Sequence, residues 1–188
     1  MPVYSKARVI GAACLTLWLV PPVQAHAAPS ARSLDITMQA QERTQWCWAG
    51  SGNTIAAFHG ATITQTRFCQ LAHDESGDSC ANLAGTLGDA QHAYAALGFS
   101  SPGTALADKV GYDDIKAQIE AGRPIQTRIG WTVGGGHIHV VYGYDSVQQR
   151  VYWGDPWPTN SRYNLSTYAY YSSNRSFSWT HTLIGVAK

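Results

Sequence analysis

The feature of this 188-residue sequence that most restricts its fold is a change of hydrophobic patterning at Pro124. Before this proline, apolar residues recur at helical spacing and glycines follow the ends of the apolar stretches. After it, apolar residues alternate with polar ones or form short runs, as is typical of strands. The pattern predicts an α+β domain with a helical half over about residues 40–122 and an antiparallel β half over about 123–188.

Four helices and four strands are predicted within this domain. The helices are expected over Cys47–Phe58, Thr62–His73, Thr86–Leu97 and Tyr112–Ala121. The strands are expected over Ile125–Trp131, His137–Tyr144, Arg150–Trp153 and Phe177–Val186. Thr62 and Gln65 have the spacing of a capping box, which predicts that the second helix begins there. A short extended piece is expected around residues 34–38.

The first 27 residues have the features of a secretory signal peptide. Lys6 and Arg8 precede an apolar run over Val9–Val20, and Ala25-His26-Ala27 supplies small residues for cleavage after Ala27. The run is shorter than the about 20 residues that a membrane span needs, so no stable anchor is expected after cleavage. We therefore predict a protein exported to the periplasm or the medium, with a mature domain over residues 28–188. An uncleaved amino-terminal anchor is the alternative.

Composition excludes several classes of function. Charged residues make up 13% of the chain and the net charge is +1, so the sequence has no basic field for nucleic acid. The chain also contains 7 Trp and 10 Tyr, which favour a shaped, aromatic-lined site. We expect a protein or peptide substrate, no cofactor and a monomeric state.

The cysteines divide into a predicted pair and a free thiol. Cys14 lies in the signal peptide, which leaves Cys47, Cys69 and Cys80 in the mature chain. Cys69 and Cys80 flank a polar, turn-rich stretch, and a disulfide between them would stabilise the fold by about 3 kcal/mol. Cys47 would then be the unpaired thiol.

Four residues could together carry out nucleophilic catalysis by a thiolate. Cys47 is predicted at the start of a helix, where the helix dipole favours negative charge. His137 follows three glycines, Asp155 ends the next strand, and the amide of Gln41 could stabilise an oxyanion. Cys47 also has a structural interpretation as a buried cysteine, and Asp155 as a residue that starts a turn before Pro156.

For two of these assignments, a nearby residue of the same type is an alternative. His139 lies on the same side of its strand as His137 and is either an alternative base or, as we favour, a core residue. Gln45 is the alternative to Gln41 as the residue that donates a hydrogen bond to the oxyanion. The remaining histidines have no metal-ligand spacing, so no metal site is predicted: His59, His73, His92 and His181.

Three motifs resemble those of the papain-like cysteine proteases. Gln41-x5-Cys47-Trp48 is similar to the nucleophile motif, and His137-x5-Gly143-Tyr144 to the strand that carries the base. Gly154-Asp155-Pro156-Trp157 resembles an element of bacteriocin-processing peptidases and bacterial effector proteases. The resemblance implies Cys47 as nucleophile, His137 as general base and acid, Asp155 as orienting group and Gln41 as oxyanion donor, in a cleft between the two halves.

The sequence also departs from relatives in the plant and lysosomal branches. Trp46 precedes the nucleophile in place of a Cys-rich motif, and the third member is Asp155 instead of Asn. Only about a dozen residues separate Ala28 from Gln41, which predicts that no inhibitory prodomain is present. The double-glycine substrate of bacteriocin-processing peptidases is not expected here, because those are domains of membrane exporters.

Aromatic residues near the motifs are candidate walls of the substrate cleft. Trp46, Trp48, Gly136 and Trp157 are the predicted cleft residues, together with Trp131, although core packing is the alternative for each tryptophan. The sequence thus predicts a secreted cysteine endopeptidase. The alternatives are a transglutaminase, deamidase or amidase with the same triad, or a secreted module that binds peptides without cutting them.

Overall fold

The structure is a computed structural model that describes residues 1–3 and 30–188. The predicted signal peptide, residues 1–27, lies almost entirely outside the described residues, and its assignment stays a prediction. Five helices are present in the described part: α1 (Cys47–Phe58), α2 (Gln65–Ala72), α3 (Leu87–Ala96), α4 (Tyr112–Glu120) and α5 (Tyr168–Ser172). No helix in the described ranges combines the length and apolar character that crossing a membrane requires.

The strands of the described residues form one antiparallel sheet. They are β1 (Ala31–Ser33), β2 (Ser101–Leu106), β3 (Ile125–Trp131), β4 (Gly136–Asp145), β5 (Arg150–Gly154), β6 (Tyr163–Thr167) and β7 (Phe177–Ala187). Their order is β2-β7-β3-β4-β5-β6, with β1 paired to β4. The α+β prediction is therefore confirmed, with the first three helices preceding most of the sheet.

The predicted start of the second helix was wrong. The helix begins at Gln65 with Thr64 as its cap, and the Thr64 hydroxyl accepts a hydrogen bond from the Arg67 N–H at 3.1 Å. The Gln65 side chain is not free to close a capping box with Thr62. Its amide nitrogen donates to the Ala40 carbonyl at 2.7 Å and its oxygen accepts from the Glu42 N–H at 3.0 Å. Gln65 thereby holds the segment that leads into the nucleophile.

Several elements were not predicted from the sequence. Strands β2 and β6 and helix α5 lie in stretches with weak periodicity, and β1 lies ahead of the predicted extended piece at residues 34–38. That piece is not a strand, but its apolar side chains alternate with exposed ones, since Leu34, Ile36 and Met38 are buried. It therefore packs across the sheet as an extended segment.

Buried polar contacts join helix α1 to the sheet. The Ser51 hydroxyl donates to the Ile138 carbonyl at 2.9 Å, and the Gln126 amide donates to the Trp48 carbonyl at 3.0 Å. All four residues are at most 2% exposed. Buried hydrogen bonds of this kind are costly to break, so they fix the position of α1 relative to β3 and β4. Together, the two hydrogen bonds hold the first turns of α1 close to the start of β4.

Candidate active site

Cys47 is the first residue of α1 and has a free, partly exposed thiol. The helix start is held by its flanking tryptophans, whose indole N–H groups donate to the backbone of the 81–83 segment. Trp46 bonds the Ala81 carbonyl at 2.9 Å and Trp48 bonds the Leu83 carbonyl at 3.2 Å. The first N–H groups of a helix lack intrahelical acceptors, so they are free to bind an anionic group at this end of α1.

His137 lies at the beginning of β4, between Cys47 and Asp155. Its Nε2 is 2.7 Å from Asp155 Oδ1, which leaves Nδ1 as the ring nitrogen available to Cys47, whose thiol lines the same cavity. Burial lowers the pKa of His137, but the hydrogen bonds to Asp155 and Cys47 and the negative charges of both groups outweigh it. The net effect raises the pKa of His137 to about 9, so its ring is protonated at neutral pH.

Asp155 is buried directly after β5 and is fully hydrogen-bonded. Besides His137, it accepts from the Trp157 N–H at 2.8 Å and from the Asn160 side-chain amide at 2.8 Å. Burial raises the pKa of Asp155, but the hydrogen bonds from His137, Asn160 and the Trp157 N–H lower it to about 2. The group is therefore an anion at neutral pH. Asn160 was not identified from the sequence, because nothing in its spacing marks it as a partner of Asp155.

His139 lies behind this arrangement and does not line the cleft. Its Nδ1 is 3.3 Å from the Tyr171 hydroxyl, and its Nε2 is 3.7 Å from Asp155 Oδ2. Burial, reinforced by the charge of His137, lowers the pKa of His139 to about 3, so the ring is neutral. These contacts agree with the interpretation of His139 as a core residue.

A cavity of about 440 Å³ surrounds Cys47 and His137. Its walls are formed by Thr44, Gln45, Trp131, Gly136, Trp157 and Asn160. Trp131 lies nearly parallel to the His137 ring with centroids 6.3 Å apart, and Trp157 meets that ring edge-on at 6.2 Å. We call this part of the cleft the aromatic side.

Two of the tryptophans predicted as cleft walls are not in the cleft. Trp46 and Trp48 are 0% and 1% exposed and belong to the hydrophobic core. Trp48 packs against Phe68, and a Cβ added at Gly85 would lie only 2.5 Å from its ring. Both indoles point away from solvent because their N–H groups bond the 81–83 segment, which fixes the ring orientation.

Gln41 is buried and does not line the cavity around Cys47. Its amide nitrogen donates to the carbonyls of Arg43 at 2.8 Å and Thr44 at 3.0 Å, so both N–H groups face the loop before α1. Its Oε1 is buried and has no hydrogen-bond partner among residues 1–3 and 30–188. The side-chain amide that does line the cleft is that of Gln45. The oxyanion role of Gln41 stays a prediction, and one of these loop bonds must break before it can be filled.

The disulfide between Cys69 and Cys80 is formed in the structure. It ties α2 to the start of the 80–86 segment, whose backbone accepts the two indole N–H bonds. The residues Ala84, Gly85 and Thr86 of this segment line a second cavity, which also contains Cys47 and His137. The cross-link therefore supports a wall of the cleft.

One group of side chains in the described residues has the spacing of metal ligands. Ligand atoms of His137, His139 and Asp155 all lie within 4.8 Å of one another. His137 and Asp155 already bond each other, and Asp155 accepts two further hydrogen bonds. A metal ion would have to displace these bonds, so the donors suit an acid–base pair better than a metal.

Comparison with known proteins agrees with this geometry. Residues 30–175 match the family described as papain-like cysteine protease AvrRpt2. No curated protein is a significant match in sequence.

Two solved structures have a similar fold. Xylellain, a cysteine protease from Xylella fastidiosa, aligns with a TM-score of 0.57 and 12% identity over 86% of this chain and 88% of its own. A double glycine motif protease from an AMS/PCAT transporter, solved with the leader peptide, aligns with a TM-score of 0.51 and 15% identity over 83% of this chain and 94% of its own. Since the family match covers most of the described residues, this chain belongs to the papain-like cysteine proteases.

Proposed function

We propose that this protein is an exported cysteine endopeptidase in which Cys47, His137 and Asp155 act as a catalytic triad. The observation that carries the proposal is the position of His137, which bonds Asp155 at 2.7 Å and lines the same cavity as the free thiol at the start of α1. A charged imidazole beside a thiolate is the arrangement that activates a cysteine nucleophile. The substrate would be a protein or a peptide bound in the open cleft.

The mechanism is acyl transfer through a thioester. The Cys47 thiolate attacks the peptide carbonyl carbon, and the oxyanion that forms accepts from the Cys47 N–H and from a side-chain amide. When the C–N bond breaks, His137 donates its proton to the leaving amine. Water then attacks the thioester while His137 accepts its proton, and this step releases the acid and regenerates the thiolate. Asp155 orients the ring throughout.

Two amides compete for the oxyanion. Gln41 has the spacing that the family resemblance implies, whereas Gln45 is exposed in the cleft beside Cys47. Comparing Gln41→Ala with Gln45→Ala separates them, because loss of an oxyanion donor lowers kcat by about 10²-fold or more. The donor is the residue whose removal lowers kcat without changing the rate of Cys47 alkylation.

Export is proposed from the amino-terminal sequence together with the disulfide. Residues 1–27 have the pattern of a cleavable signal peptide, and the Cys69–Cys80 disulfide suits an oxidising compartment. We propose that the mature protein acts in the periplasm or the medium as a monomer.

The test of the proposed function is labelling of the native protein by a thiol-directed epoxide, followed by intact mass and peptide mapping. We expect one adduct, on Cys47, that forms much faster in the native than in the denatured protein. His137→Ala should slow labelling and abolish cleavage of casein, whereas the control His92→Ala, at an exposed position of α3, should do neither. Free peptide termini without ammonia release would exclude deamidation and transglutamination, and rapid labelling without casein cleavage would contradict an endopeptidase.

A further inference from the structure

Arg128 places a cation without an acidic partner among the described residues at the edge of the cleft. Its side chain lines the cavity of about 430 Å³ that contains Cys47 and His137. It also lines an adjoining cavity of about 450 Å³ that extends away from the nucleophile. The guanidinium thus lies where the two cavities meet. A substrate that extends from Cys47 in this direction passes Arg128.

The backbone around Arg128 is built to direct this side chain. The pairing of β3 with β7 shifts register between Arg128 and Ile129, which leaves Thr180 of β7 as the extra residue of a β-bulge. The Thr180 hydroxyl accepts from the Arg128 guanidinium at 2.8 Å and donates to the Arg128 carbonyl at 3.1 Å. Bulges beside active sites commonly change the direction of a side chain. Here the extra residue of the bulge orients the cation.

Glycine supplies the surface on which the guanidinium lies. Gly136, the residue before His137, pairs with Gly130 across β3 and β4. A Cβ added at Gly136 would lie 2.8 Å from an Arg128 Nη atom, so any larger residue would displace the guanidinium. Because Gly136 has no side chain, the guanidinium can lie against the backbone of the residue before His137.

Arg128 has no acidic partner in the described ranges, unlike other arginines of the sheet. Arg32 and Arg150 form ion pairs of 2.6 Å with Glu120 and Asp145. No carboxylate lies within ion-pair distance of Arg128 in residues 1–3 and 30–188, and no acidic residue lines either cavity. A half-buried cation without a counter-ion is unfavourable, and a bound carboxylate would relieve this cost.

We infer that Arg128 is a specificity-determining residue that binds the carboxylate of a substrate glutamate near the scissile bond. The inference rests on the proposed function. The adjoining cavity has apolar walls at Leu87 and Leu106, which suit the methylene groups of a glutamate, and His181 adds a polar edge. A guanidinium binds a carboxylate through two parallel hydrogen bonds, which a neutral amide cannot reproduce.

The test is cleavage of peptide series that differ in one residue at each position around the cleaved bond. Each series carries Glu, Gln or Lys at that position, and its members have amidated carboxyl termini. We expect the wild-type kcat/KM to favour Glu over Gln by at least about tenfold at one position. Arg128→Gln should reduce this ratio to about one, and Arg128→Glu should make Lys the preferred residue. The control Arg67→Gln, on the exposed face of α2, should retain the wild-type ratio.

A second variant tests the bulge without altering the charge. Thr180→Val removes the hydroxyl that holds the guanidinium, and it should lower the Glu-to-Gln ratio while Arg128 remains. A wild-type ratio near one at every position would overturn the inference and leave the proposed function intact. A parallel series with free carboxyl termini is compared with the amidated one. A preference that appears only in the free series would also overturn the inference, because the anion would then be the peptide terminus.

The carboxylate site can also be tested if the protein turns out not to be a peptidase. If no peptide is cleaved and Cys47 is not labelled, binding of the same peptides to Cys47→Ala still measures the subsite. Tighter binding of the Glu peptide by about tenfold, lost in the Cys47→Ala, Arg128→Gln double variant, supports the carboxylate site. Equal binding of Glu and Gln peptides overturns it.

Discussion

The two halves of the molecule hold their proposed catalytic groups by different means. In the helical half, Cys47 is positioned by packing, by two indole anchors and by a disulfide that fixes the segment the indoles bond. In the β half, His137 is positioned by a hydrogen bond to a buried anion that has two further donors. One half relies on buried apolar surface and a cross-link, and the other on buried charge.

This difference predicts which property a substitution in each half will change. Changes in the helical half should appear as lost stability and a displaced cleft wall, because burial of large side chains dominates there. Changes in the β half should appear in activity and in pH dependence, because charged groups are buried beside one another. Each experiment below can contradict this division.

The largest effect is expected on activity in the β half. His137→Ala removes the group that activates the thiol and protonates the leaving amine, so kcat/KM for a peptide should fall by at least about 10⁴-fold. Asp155 keeps its bonds from Trp157 and Asn160 but loses the bond to His137, so the free energy of unfolding should also fall, by about 1–3 kcal/mol. Steady-state kinetics and urea unfolding on the same preparation check both statements. A loss of less than tenfold in activity would mean that another residue is the base.

The second effect compares a buried tryptophan with one in the cleft. Trp48→Ala should lower the free energy of unfolding by about 3–5 kcal/mol, because its ring is 1% exposed and packed in the core. Trp131→Ala should cost much less stability, since that ring is 37% exposed, but should raise KM through loss of the aromatic side. Urea unfolding and peptide kinetics on both variants check this contrast. Equal losses of stability would contradict the assignment of core and cleft.

The disulfide should have a smaller effect on stability and a local effect on binding. Replacing Cys69 and Cys80 by serine should cost about 3 kcal/mol, from the entropy regained by the unfolded chain. It also releases the segment that carries Ala84, Gly85 and Thr86 to the cleft, so KM should rise more than kcat falls. Thermal unfolding and kinetics of the double variant are compared with the wild type under oxidising conditions. An unchanged KM would mean that the indole anchors alone hold this wall.

Much of the fold could be predicted because its signals are local. The helix periodicity before Pro124 and the strand alternation after it predicted the two halves. The polar, turn-rich stretch between Cys69 and Cys80 predicted the disulfide pairing. The start of α2 was missed because Gln65 bonds the 40–42 segment, a contact between distant residues that no local pattern contains. Strands β2 and β6 were missed because their hydrophobic alternation is weak. They form through pairing with β7 and β5, which are distant in sequence or unrecognisable as neighbours from a local pattern.

The site could be predicted in its motifs but not in its surroundings. Trp46 and Trp48 were expected in the cleft, since a tryptophan beside a nucleophile has the same sequence pattern whichever way the ring points. Asn160 and Arg128 were not singled out because their roles depend on the turn after β5 and on the bulge in β7. Those are tertiary features, and a charge without a partner is visible only once the partners have been placed.

The smallest effect concerns the pH dependence of stability in the β half. Burial and the charge of His137 lower the pKa of His139 to about 3, whereas in the unfolded chain it has its ordinary value near 6.5. Between these values the unfolded state binds a proton that the native state does not, so the free energy of unfolding should fall as the pH is lowered. The slope from this group is at most about 1.4 kcal/mol per pH unit.

His139→Phe should remove this slope while keeping a ring against Trp153 and Tyr171. The measurement is urea unfolding between pH 6.5 and 4.5, a window above the pH at which Asp155 takes up a proton, since its pKa is lowered to about 2. Loss of the Tyr171 hydrogen bond lowers stability equally at every pH in this window and does not alter the slope. The exposed His92→Gln serves as the matched control and should retain the wild-type slope. An unchanged slope in His139→Phe would mean that His139 takes up a proton in the native state, which requires Asp155 to share its charge between two histidines and weakens the contrast between the halves.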